Sequence, residues 1–181
     1  MLLALVFFIQ ISFPSVTQLL WFNPALVSSQ PWGFLTSIFL HASFLHLFFN
    51  GFALFMFGPL LEQKVGSGKF LEVFLLAGIG GSVFYYLFII AGITPPLPAL
   101  GASGAIYGIL GALAILTPDL VVLVWFVPMR MREAAIFWVA MEFLGTFNPA
   151  SGIASAAHLG GLFLGVAYAH FAIGKNQSHW N

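Results

Sequence analysis

Ser103, in Gly101-Ala102-Ser103-Gly104-Ala105-Ile106-Tyr107-Gly108, and His158, in Ala157-His158-Leu159-Gly160-Gly161, are the pair in this chain that could do covalent chemistry. A serine hydroxyl is a weak nucleophile until a base takes its proton, and imidazole suits that task near neutral pH. The oxyanion that such an attack creates needs hydrogen-bond donors already in place. Asn50 offers an amide NH2, His46 a ring N–H, and Ser103 its own backbone N–H, which is unpaired if a helix starts there. The single aspartate, Asp119, falls at the far end of the helix that Ser103 opens. The expectation is therefore a dyad with no acid behind the histidine.

Each of these residues also has a plainer reading. A serine at a helix start is commonly a cap, and Gly104 and Gly108 fit the small-xxx-small spacing that lets membrane helices approach closely. A lone histidine in a helix is commonly a structural hydrogen-bonder, which is the reading for His170 and His179. Spacing argues for more at the other positions. His46 and Asn50 are four apart, about 40° around a helix, and so address one patch. Tyr107, four after Ser103, flanks whatever Ser103 meets. His41, on the same helix as His46, points about 140° away, toward the entrance of such a pocket, in a structural or water-handling role. Gly161 and Gly165 are four apart as well, and would let the His158 helix press against the Ser103 helix.

Composition says which solvent these elements meet. The chain has 181 residues, 61% hydrophobic and 6% charged, with mean hydropathy +1.04, whereas soluble domains carry about 25% charged residues. It has no cysteine, which excludes disulfides and thiolate chemistry, and its zero net charge without basic clusters argues against a nucleic-acid partner. The expected fold is all-α: a polytopic bundle of six membrane spans over about 2–20, 35–61, 70–90, 101–117, 133–147 and 153–173. These make one domain, 1–174, followed by a short polar tail, 175–181. Segment 2–13 lacks basic residues and a small-residue cleavage pattern, so it reads as the first span. Gly66-Ser67-Gly68 is the expected turn between spans 2 and 3. Pro95, Pro96 and Pro98 bar a helix across 92–98, and 119–127 reads as a connector too short to cross.

Charge placement fixes the topology. Lys64, Lys69, Arg130, Arg132 and Lys175 all fall on one side of a six-span chain, so that side, with both termini, is expected to be cytoplasmic. Spans 2, 4 and 6 then run inward, and His46, Asn50, Ser103 and His158 share the outer half of the membrane. Polar groups at that depth usually face the bundle interior or a water-filled cavity. Glu72 is left unplaced, and Glu142 is expected near the outer end of span 5. The glycine-flanked loop 145–152, with Phe147 and Asn148, is the expected gate, together with span 5.

Three motifs taken together give the chain a likeness. Gly-x-Ser-Gly-x-x-x-Gly at 101–108, Ala-His-x-x-Gly-x-x-x-Gly at 157–165 and His-x4-His-x3-Asn at 41–50 resemble those of the rhomboid intramembrane serine proteases, in their minimal six-span form. The resemblance implies a Ser103–His158 dyad that cleaves transmembrane protein substrates in or near the lipid bilayer, without a cofactor. It also implies that Tyr107 stacks on His158, that His46 and Asn50 help form the oxyanion site, and that Gly101, Gly104 and His41 support it. Glu62 with Ser67 resembles the family's anchor after span 2. Where the family often carries Trp-Arg in its first loop, this chain has Trp32-Gly33. The implied location is a cell membrane of prokaryotic type. Two rival readings stand beside this one: a rhomboid-like binding protein without catalysis, and a membrane protein holding haem or metal through paired histidines.

Overall fold

The computed structural model describes residues 1–148 and 154–173, so Pro149 to Gly152 of the expected gate, and the tail with Lys175 and His179, lie outside the described residues. α1 (Leu2–Ser12) and α2 (Ser15–Leu20) form the expected first segment. They part at Phe13-Pro14, where proline has no backbone donor to continue the ladder. A 3₁₀ turn (Pro24–Leu26) follows in the loop.

The second segment departs from expectation. In place of one helix from Leu35 there are α3 (Gly33–Thr36), a 3₁₀ turn (Ser37–Phe39) and a non-helical stretch, and α4 (Phe44–Ile90) starts only after it. The cause is Ser43, which is extended (φ −157°, ψ 164°) and caps α4 by accepting the His46 N–H at 3.1 Å. His41 is therefore not on the helix that carries His46.

α4 is two limbs, 44–65 and 67–90, broken at Gly66, whose φ of 80° is left-handed. In a straight helix Gly58 and Phe70 would lie about 18 Å apart. Here a Cβ on Gly58 would sit 3.6 Å from the Phe70 ring, so the chain doubles back as the Gly66-Ser67-Gly68 turn led us to expect. Ser67 Oγ donates to Glu62 Oε1 across that turn at 2.6 Å.

The proline-rich strap after α4 is tied down by the paired residues Phe22 and Ala99 and by Tyr85, whose hydroxyl donates to the Leu97 carbonyl at 3.0 Å. α5 (Ser103–Leu116) follows. The expected short connector is in fact a two-stranded antiparallel hairpin, β1 (Val121–Val124) and β2 (Val127–Arg130), closed with Val124 opposite Val127. Its β-branched run favours strand, and Trp125 (φ 48°) and Phe126 (φ 68°) adopt the positive φ of a two-residue hairpin loop. The hairpin is the exception to the all-α expectation. α6 (Met131–Thr146), α7 (Ser155–Tyr168) and a π turn (Ala169–Ile173) complete the described chain.

α5 is the axis, packed against α4, α6 and α7, with Ala105, Ile109, Ala112 and Leu113 wholly buried. α7 lies so close to it that a Cβ at Gly161 or Gly165 would collide with the carbonyl of Gly104 or Gly108, the contact that the glycine spacing called for. The outer surface is apolar too: Phe44, Phe48, Phe49, Phe52 and Phe55 of α4 are all exposed. Phe44–Ile90 and Ser155–Ile173 are long and apolar enough to cross a membrane, whereas Leu2–Ser12 and Ser103–Leu116 are apolar but shorter.

Candidate active site

Ser103 is the first residue of α5, so its N–H has no acceptor within the helix. It does not act as the cap: Ala102 holds that position and no side chain caps the helix. The Ser103 hydroxyl instead meets His158, in the first turn of α7, with Oγ 2.7 Å from Nε2. The glycine contact between α5 and α7 sets that distance by fixing how near the two helix starts can lie. Tyr107, one turn into α5, stacks face to face on the imidazole, with centroids 4.5 Å apart and planes 7° from parallel.

Gly101 brings the α4 residues alongside. Its φ of 134° suits glycine, and a Cβ there would lie 2.8 Å from His46 Cε1, 2.9 Å from His46 Nε2 and 3.7 Å from Asn50 Nδ2. His46 and Asn50 thus border the turn into Ser103. The Ala42 N–H donates to His46 Nδ1 across a long 3.4 Å, which in a neutral ring leaves the proton on Nε2, the atom facing Gly101. Asn50 is buried, and its Nδ2 has no hydrogen-bond partner among the described residues.

A cavity of about 640 Å³ opens here, with Ser103, His158, His46, Asn50, Thr94 and Asn148 among its lining. The start of α4, the strap, the end of α6 and the start of α7 wall it in. Lys64 and Lys69, beside the Gly66 turn, and Arg130 and Arg132, beside the hairpin, lie at the opposite ends of these elements. Phe147, half exposed, ends α6 next to Asn148.

Two expectations need correction. His41 does not line the entrance: it is buried at 2% exposure, outside the helix, and packs edge-on against His46 with centroids 5.1 Å apart. Its backbone is held from α1, where Gln10 Oε1 accepts the His41 N–H at 2.9 Å. The second correction is the residue that the motifs did not find. Glu142, in α6, places Oε1 3.0 Å from His158 Nδ1, so an acid does stand behind the histidine. The approach lacks the in-line geometry of a full hydrogen bond. The same oxygen accepts the Tyr107 hydroxyl, and Ser155 lies beside the carboxylate. The available signal was an ionisable residue within an apolar helix, which is a functional candidate by default. Sequence alone could not say which side of α6 would face α7. Glu72, likewise unplaced by sequence, accepts the Tyr168 hydroxyl.

A model of the Rhomboid domain matches residues 28–175. Among curated proteins, the chain is 37% identical over 152 residues to "Rhomboid protease GluP" of Bacillus subtilis, a stretch covering 84% of this chain and 28% of that protein. It is 37% identical over 108 residues to "Putative rhomboid protease YdcA" of the same organism, covering 55% of this chain and 51% of the relative. "Rhomboid protein 1, mitochondrial" of Saccharomyces cerevisiae is 35% identical over 140 residues, 73% of this chain and 39% of that protein. The chain thus spans between about a quarter and a half of the length of these relatives.

Proposed function

The chain belongs to the rhomboid family, and from that premise we propose that it is an intramembrane serine endopeptidase whose catalytic pair is Ser103 and His158. The observation that carries the reading is the 2.7 Å approach of Ser103 Oγ to His158 Nε2 beside a cavity. That is hydrogen-bond reach between a nucleophile and its base.

In the proposed reaction His158 Nε2 takes the Ser103 proton as Oγ bonds to the scissile carbonyl carbon. The carbonyl oxygen, now negative, is met by the Ser103 N–H, the His46 Nε2–H and the Asn50 amide, all donors fixed beforehand. The imidazolium then gives its proton to the leaving amide nitrogen as the C–N bond breaks. Water repeats the sequence on the acyl-enzyme and frees Ser103. Tyr107, stacked on the ring, limits how His158 can tilt between the two steps. No cofactor enters.

The substrates of this reading are transmembrane proteins, and the protein itself is an integral membrane protein. Six spans result when the two limbs of α4 count separately and α1–α2, α5, α6 and α7 each cross. At 14 residues α5 measures about 21 Å, short of the ~30 Å hydrocarbon core, so its crossing depends on the turns at either end and on local thinning. The cavity then faces outward, and the basic residues with both termini face the cytoplasm. The apolar outer surface suits lipid.

Haem ligation through His158 is disfavoured, because one of its nitrogens faces Ser103, the other Glu142, and Tyr107 covers one face of the ring. The test against an inactive relative is labelling of detergent-purified protein with a fluorophosphonate probe. Labelling that is lost in Ser103→Ala is the expected result. Equal labelling of both proteins overturns the assignment.

A further inference from the structure

Among the described residues Glu142 is the one carboxylate within reach of the Ser103–His158 pair, and both α5 and α7 present partners to it. It projects from α6, an otherwise apolar helix between its first turn and its end. Its side chain is only 13% exposed and that of His158 only 10%. An ionised carboxylate is costly to bury unless it is paired and hydrogen-bonded. Here the Tyr107 hydroxyl of α5 donates to it, while Ser155 and His158 Nδ1 of α7 lie against it, the latter at 3.0 Å. Two of those partners could have served as a staple for α6. The third decides the chemistry.

A neutral imidazole carries one proton, and the group opposite one nitrogen settles which nitrogen that is. A carboxylate can only accept, so Oε1 at 3.0 Å from Nδ1 places the proton on Nδ1. Nε2 is then left as an acceptor, and the Ser103 hydroxyl, 2.7 Å away, must donate to it. With the opposite tautomer Nε2 would donate to Oγ and could not take its proton. Once Nε2 is protonated, the carboxylate also faces a cation instead of a neutral ring, a gain realised as the transition state forms. The off-line direction of the resting contact is no obstacle, since catalytic hydrogen bonds in ligand-free sites often tighten only with substrate bound.

We infer that Glu142 is the positioning residue of this site: its carboxylate sets the tautomer and orientation of His158 and stabilises the imidazolium, making the dyad a Ser103–His158–Glu142 triad. No proton passes to Glu142. The inference rests on the reading of Ser103 and His158 as the catalytic pair, and the Ser103→Ala control separates the two.

The test is Glu142→Gln, which keeps the size and the capacity to bond Tyr107 and Ser155 but removes the charge. Using the purified full chain and a transmembrane substrate in detergent, kcat is expected to fall by about 10²-fold with KM changed less than about threefold. Glu142→Asp, which keeps the charge one methylene short, should recover at least about tenfold of that loss. A role confined to holding α6 predicts the reverse, with aspartate no better than glutamine. Either that ranking, or a Glu142→Gln enzyme within about threefold of the parent kcat, overturns the inference while leaving the pair intact. Cleavage surviving in Ser103→Ala overturns the pair itself. Should Glu142→Gln fail to fold, the structure of the parent protein with a fluorophosphonate adduct on Ser103 decides. Glu142 Oε1 within hydrogen-bond distance of Nδ1 supports the inference, and a carboxylate turned away from the ring overturns it.

Discussion

In the proposed reaction Ser103 and His158 share one proton, so neither should work without the other. Ser103→Ala and His158→Ala are each expected to reduce cleavage to background, and the double variant should be no worse than either single one. Single-turnover cleavage of a transmembrane substrate measures this, with thermal unfolding in detergent as the check on the fold. The proposed oxyanion donors are several and should be individually less costly. Asn50→Ala and His46→Ala are expected to lower kcat by about 10²-fold or less each, since one donor in a well-formed hole contributes roughly 2.7–4 kcal/mol at most. An unchanged rate would return that residue to packing. These residues were legible because motif and helical spacing put types and depth together. Glu142 was not, because a single carboxylate has no spacing to read, and its value depends on which neighbour α6 presents it to.

At the scale of elements, two boundaries matter. The Ser43 cap separates His41 from His46, and Ser43→Ala should destabilise the protein by about 1 kcal/mol through the lost bond to the His46 N–H. Thermal unfolding reads that loss, with a smaller companion loss in kcat if His46 swings. The second boundary is the end of α6, which packs on α5 and α7 and is anchored to both through Glu142. A gate that opened toward α4, as we propose, would bend the helix beyond Glu142, near Gly145 to Asn148, since otherwise it would release His158 as it opened. In this cysteine-free chain, engineered cysteines crosslinking residue 147 to the start of α4 should stop cleavage, whereas a crosslink from the first turn of α6 to the hairpin should not. Undiminished cleavage with the first crosslink formed would rule out entry between α4 and α6. Phe147→Ala, which removes a ring packed against Phe143, should preserve or raise kcat while lowering stability.

For the whole molecule, the seam between α5 and α7 holds together the helix starts that carry Ser103 and His158. A side chain at Gly161 would strike the Gly104 backbone, which no rotamer change can relieve. Gly161→Val is thus expected to cost at least about 3 kcal/mol, the upper part of the range for overpacking, and to lose activity with it. Unfolding in denaturant and fluorophosphonate labelling should fall together. Labelling retained on a destabilised fold would mean that the seam sets stability but not the approach of His158 to Ser103.

The sequence by itself determined the helical bundle, the turn at Gly66, the meeting of Ser103 with His158 and the glycine contact that allows it. Each follows from local rules: hydrophobic runs, a backbone that only glycine adopts, and four-residue spacing on one helix face. Tertiary structure decided the rest. The Val121–Arg130 hairpin exists because two short strands pair, which neither does alone. His41 stays outside the helix that Ser43 opens because Gln10 of α1 accepts the His41 N–H, a contact between distant elements. The acid behind His158 arose because α6 docks with one face against α7, an angle about the helix axis that packing sets and composition does not.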